Sequence, residues 1–173
     1  LLTLEEEDQW KLRTSRFARL RELEGISLNE DELAEAIRIK ERTAGDTNGL
    51  ERAAMVELLG AERAADFVRA QDRGFQSLLR MSDRLGATAE QARELWDLEQ
   101  ETRRLAEAAN QDLERPEAER LAELAGLRQR LASSAETILG GQRGRDLWER
   151  SRKGWLDQTF RIAEDDPLAS LPP

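Results

Sequence analysis

Carboxylates and guanidinium groups are the reactive side chains this sequence offers in quantity. It contains no His and no Cys. That excludes histidine-based triads, the usual proton shuttle, thiolate nucleophiles, disulfides and the commonest zinc ligands. Carboxylate pairs at Glu30/Asp31, Asp97/Glu101 and Asp165/Asp166 could hold a hard cation or do acid–base work. With 36 acidic residues in 173, such pairs arise by chance, and no calcium-loop spacing accompanies them. The chain therefore reads as a non-enzyme, with no catalytic residue, cofactor or metal site expected.

Arg63 with Asp66, and Arg143 with Asp146, sit one helical turn apart. The default for such spacing is an exposed i,i+3 ion pair contributing about 0.3–0.5 kcal/mol. The sharper alternative is a buried clamp that fixes the start of a long helix. Trp148 and Trp155, seven residues apart, fall on one helical face. Core packing is the default for them, and an apolar patch left for a protein partner is the alternative.

These groups must be carried by helices. Hydrophobic residues make up 39% of the chain, mainly Leu and Ala, charged residues 36%, and Tyr is absent. Strong helix formers with few β-branched residues point to an all-α fold of about seven helices. Thr3 and Glu6 form a capping-box pattern that opens a helix over about 4–24, ended by Gly25. Ser27 or Asn29 caps a second helix carrying Leu33, Ala36, Ile37 and Lys40, up to a turn cluster at 44–49. A third helix covers about 50–59. A long one follows over 61–85, with Gly74 inside it as a place to bend. Gly86 closes that helix and Thr88 caps the next. Leu95, Leu98, Thr102, Leu105 and Ala109 then recur at steps of three and four, the spacing of a coiled-coil seam. Pro116 suits the first position of a returning helix carrying Leu121, Leu124, Leu127, Leu131, Ala135 and Ile138. A long antiparallel hairpin near 89–139 results, and a last helix with Trp148, Trp155 and Phe160 runs to about 162.

A phrase recurs at the joints near 1–5, 58–62 and 138–142: Leu1-Leu2-Thr3-Leu4-Glu5, Leu58-Leu59-Gly60-Ala61-Glu62 and Ile138-Leu139-Gly140-Gly141-Gln142. Gly74 and Phe75 match Gly154 and Trp155 at the same offset as the later two copies. The expected unit is a long helix plus a helical hairpin, stacked on its neighbours because one repeat cannot bury its own apolar face. Residues 1–163 are expected to form a single helical domain, with 164–173 as an extended or disordered tail.

The net charge of −9 is spread over interspersed acids and bases, so a nucleic-acid partner has no basic footprint. No apolar run approaches membrane-spanning length. The chain starts at Leu1 rather than Met, so it is expected to be a processed piece, with any signal or membrane anchor outside this segment. The leucines Leu95, Leu98 and Leu105 could pair between chains if the hairpin is a dimerisation arm, which makes self-association or a protein partner the expected mode of action.

Two resemblances add to this reading. LLGAERAADFVRAQDRGF, from Leu58 to Phe75, together with the Leu-Leu-Thr start, resembles a group of uncharacterised helical bacterial repeat proteins. That likeness implies export or anchoring in the bacterial envelope and brings no activity with it. Leu4 and Ala61 stand where that group commonly has a helix-opening Pro. Leu2, Thr3 and Glu6 are similar to the Leu-Thr-x-x-Gln signature of periplasmic helical proteins of the Spy and CpxP type, with Glu in place of Gln. That second likeness implies a cradle that holds unfolded clients without ATP.

Overall fold

The computed structural model describes residues 14, 15, 17–44 and 49–161, and every α-helix and turn below lies among them. They form seven α-helices and one 3-10 turn with no strand, the all-α class expected. Residues 1–13, with the capping box at Thr3, and the tail 164–173 lie outside the described residues. Where one domain over 1–163 is the sequence expectation, contacts cluster into two compact units, 1–79 and 80–173.

The first unit opens with a 3-10 turn, Ala18–Glu22, at the end of the stretch expected to be helical to residue 24. Helix α1 (Glu30–Arg42) starts at Asn29, whose side chain accepts the Glu32 N–H at 2.8 Å while Glu32 accepts the Asn29 N–H at 3.0 Å. This reciprocal cap satisfies two donors that the first turn would leave open. Helix α2 (Leu50–Leu59) and helix α3 (Ala61–Ala70) follow, separated by Gly60 alone. Leu20, Ala36, Ile37, Ile39, Met55, Leu59, Ala64 and Phe67 make the core of this unit.

The long helix expected over 61–85 is divided. Helix α3 ends at Ala70 and helix α4 (Arg73–Arg84) begins after two intervening residues. Asp72 is the physical cause. Its carboxylate accepts the Gly74 N–H at 2.6 Å and the Phe75 N–H at 3.2 Å, capping a new helix instead of continuing the old one. The break thus falls just ahead of Gly74 rather than at it. Gln76 braces the break by donating to the carbonyls of Ala70 and Glu24, at 2.9 and 2.8 Å.

The second unit takes the end of α4 and three long helices: α5 (Ala89–Gln111), α6 (Glu117–Ile138) and α7 (Gln142–Thr159). Thr88 and Gln91 form a second capping box at the start of α5. Helix α6 packs along α5 as the expected hairpin, and α7 packs on both. Pro116 occupies the cap position rather than the first helical one, and α7 stops at Thr159. Gly60 and Gly140 both have φ of +79°, so the second and third copies of the phrase are left-handed joints between helices, where glycine escapes the Cβ clash.

The seam of α5 differs from the expected one. Its buried positions are Ala92, Leu95, Glu99, Thr102, Ala106 and Ala109, again in steps of three and four. Leu98 is only half-buried and Leu105 is 37% exposed. Leu95, Thr102 and Ala109 of the expected seam are in the core, Leu98 and Leu105 turn outward, and Glu99 and Ala106 take their places.

Candidate functional site

Glu99 is the one buried acid among the described residues, at 2% exposure. It lies halfway along α5 and faces α7. One of its oxygens, Oε1, accepts both the Trp148 indole N–H at 2.7 Å and the Arg152 Nε at 2.9 Å. Trp148 and Arg152 are four residues apart, so they occupy one face of α7 and converge on a single carboxylate. The Arg152 guanidinium also lies 6.0 Å from the centre of the Trp96 ring. Further along the same helix pair, the Arg103 guanidinium sits 5.5 Å over Trp155, whose ring meets Phe160 edge-on at 6.4 Å. These are cation–π and edge contacts of about 0.5–1.5 kcal/mol each. The assembly ties α5 to α7.

A second polar hub sits in the first unit. Arg63 on α3 donates two hydrogen bonds to Glu32, at 2.6 and 2.8 Å, and a third to the Ser27 carbonyl at 2.8 Å. The Arg63 hydrogen bonds, helped by the Asn29 N–H, hold the Glu32 carboxyl down at about 2. Neither expected Arg–Asp pair supplies such a clamp: Asp66 pairs with Arg69, and Asp146 accepts from Gln142 at 2.7 Å. The interaction that ties a helix start to its neighbour is made across 31 residues, beyond the reach of i,i+3 reasoning.

Of the candidate partner residues, Leu95 and Trp148 are fully buried, Trp155 and Leu98 are half-buried, and Leu105 is exposed. Leu95 and Trp148 are spent on the core of the second unit. Glu30 and Asp31 are exposed in the first turn of α1, where acids favour the helix N-terminus. Glu101 pairs with Arg104 at 2.6 Å, which holds its carboxyl below the usual range. Asp165 and Asp166 lie outside the described residues. Among the described residues no group of three or more acids converges in a way that could hold a metal ion. A depression of about 430 Å³ between α6 and α7 is lined by three bases (Arg128, Arg150, Lys153) and three acids (Asp146, Glu149, Asp157).

The apolar surface lies elsewhere. Leu113 in the hairpin loop is 79% exposed and Leu121 in the first turns of α6 is 48% exposed. Ala118, Ala122 and Ala125, in the first half of α6, are exposed as well. Together with Leu105 they occupy the half of the hairpin nearest its loop. Sequence periodicity misses this surface, because a Leu at a helical step looks the same whether its face turns inward or outward. Comparison with protein-family models, curated proteins and solved structures gives no match.

Proposed function

We propose that this chain is a non-enzymatic helical interaction protein that engages a protein partner through the loop-proximal half of the α5–α6 hairpin. The observation that carries the reading is the exposure of Leu105, Leu113 and Leu121, together with Ala118, Ala122 and Ala125, in that half of the hairpin. Fully burying one leucine contributes about 1.5–3 kcal/mol, so even part-burial of these side chains by a partner would favour association. The buried Glu99 junction supports the reading by giving the hairpin a rigid base. The resemblance to exported helical proteins supports a place in the bacterial envelope.

The reading predicts that the protein either self-associates or suppresses aggregation of an unfolding client. Sedimentation across a concentration series and light scattering of a thermally unfolding client enzyme measure the two. Replacing Leu113 and Leu121 together by Ser should weaken whichever activity is present and leave the unfolding temperature unchanged, since both side chains are outside the core. A chain that stays monomeric and leaves client aggregation untouched sinks the proposal. Client holding without self-association would favour the Spy-like chaperone form of it.

A further inference from the structure

We propose that Met81 is a site of reversible oxidation by small hydroperoxides, and that Ser151 receives the sulfoxide oxygen, so that oxidation fastens the end of α4 to α7. The proposal goes beyond the interaction reading and does not depend on the exposed leucines.

The chain has two sulfur atoms, both in methionine, and no cysteine. Their surroundings differ. Met55 is 1% exposed and packed in the core of the first unit. Met81 is half-buried near the end of α4, and its sulfur lies 3.8 Å from the Ser151 hydroxyl on α7. Ser151 is itself exposed, so water and a small solute reach the contact. Both residues belong to the second unit.

Ser151 has one proton and two acceptors within reach. The Trp148 carbonyl lies at 2.8 Å, and a thioether is the weaker acceptor of the two, so in the reduced protein the proton goes to the carbonyl. Trp148 is in the interior of α7, where the helical ladder already uses that carbonyl through the N–H four residues on. The hydroxyl can therefore turn away without leaving a carbonyl bare. An oxygen added to the Met81 sulfur enters the 3.8 Å gap, and the unbranched side chain has the freedom to aim it at Ser151. The weak sulfur contact then becomes a hydrogen bond between oxygens, and it joins two helices instead of two turns of one.

The step balances with a hydroperoxide as the oxidant. A lone pair on the Met81 sulfur attacks one peroxide oxygen, the S–O bond forms as the O–O bond breaks, and the second oxygen leaves with the protons as water. Sulfur is oxidised by two electrons and the peroxide reduced by two. Methionine sulfoxide reductases, supplied with a thiol reductant, reverse the product. A sulfoxide in a half-buried position ordinarily weakens packing by its polarity. Ser151 gives the Met81 product a partner that offsets this cost.

Peptide mass spectrometry after treatment with hydrogen peroxide tests the site. The Met81 peptide should gain one oxygen at least about tenfold faster than the Met55 peptide. Thermal unfolding tests the role of Ser151. Oxidation should lower the unfolding temperature of S151A by about 2–4 °C more than it lowers that of wild type, the loss of one exposed hydrogen bond. M81L keeps the volume of the side chain and should show no shift with peroxide. Reductase treatment should return wild-type protein to its starting mass and unfolding temperature. Equal rates at Met55 and Met81, or no oxidation at Met81, overturn the site. Equal shifts in S151A and wild type overturn the role of Ser151, and a product that the reductases leave untouched overturns reversibility.

Discussion

Glu99→Ala is the most informative single perturbation of this fold. It deletes the acceptor shared by Trp148 and Arg152, leaving a desolvated indole N–H without its acceptor and a largely buried guanidinium without its carboxylate. Removing one member of a buried ion pair costs about 3–5 kcal/mol. The Arg152 side chain keeps 11% of its surface in solvent against 3% for Glu99, so its head can turn towards water and the lower figure, about 3 kcal/mol, applies. A domain of this size loses roughly 4–8 °C per kcal/mol, so the second unit should melt about 12–24 °C lower. The E99L/R152L double variant removes both charges together. Its remaining cost is mainly the orphaned Trp148 N–H, about 1–3 kcal/mol, so it should be no less stable than the single variant and is expected to be more stable. Urea unfolding followed by tryptophan fluorescence, with far-ultraviolet circular dichroism as a second probe, measures both. A loss below about 1 kcal/mol for Glu99→Ala, or a double variant clearly worse than the single, would refute this account.

Three further outcomes follow from particular contacts. Glu32 titrates at about 2 against an ordinary 4.5, so its contribution to stability is complete above pH 4.5 and is lost as pH falls towards 2. Carboxyl-resolved NMR titration should show Glu32 returning towards its ordinary value in Arg63→Met, and an unchanged midpoint would remove Arg63 as the cause. Thr88→Ala deletes the cap of α5 and should destabilise the second unit by about 1 kcal/mol in urea unfolding, with Thr88→Ser close to wild type. Gly144→Ala places a Cβ against the Leu139 carbonyl oxygen and within 2.6 Å of the Leu139 Cβ. The joint before α7 must then shift, at about 1–3 kcal/mol, and a neutral effect on thermal unfolding would show that the joint yields freely.

The sequence made helix existence legible because capping and breaking residues act locally. Asn29, Thr88, Gly86 and the Gly60 and Gly140 joints are each read from a window of four or five residues, and the structure ends or starts a helix at or beside each of them; Gly25 instead lies three residues beyond a 3-10 turn that ends at Glu22. Asp72 is equally local, but the apolar period from Ala61 to Leu85 continues through the break and masks its cap. What helical periodicity cannot supply is phase when two stripes compete. On α5 the frame through Leu95, Leu98 and Leu105 holds three leucines, while the true seam holds one leucine, three alanines, a threonine and a glutamate. Hydrophobicity favours the first frame. The second wins because small residues let α6 approach closely and because Glu99 finds Trp148 and Arg152, partners about 50 residues away that no local window contains. The candidate surface inherits the same difficulty, since Leu105 is exposed only as a consequence of that choice of phase.

The glutamate in the seam also explains how so uniform an interface adopts one register. Layers built from Ala92, Leu95, Thr102, Ala106 and Ala109 differ little from one another, and sliding α7 by a heptad along α5 would bury similar apolar area. Such a slide would set Trp148 and Arg152 against Ala92 or Ala106, neither of which can accept a hydrogen bond from its side chain. The Trp148 N–H would then lose its acceptor and the Arg152 charge its carboxylate, at several kcal/mol. Glu99 thus acts as a polar pin of the kind that selects register in coiled coils at some cost in stability. The pin has a consequence for association, because the position of α7 along the hairpin determines how much of α6 is left uncovered. E99L/R152L should therefore retain helix content while showing more than one set of Trp148 indole N–H resonances. A single sharp resonance at wild-type exposure would mean that apolar packing alone sets the register.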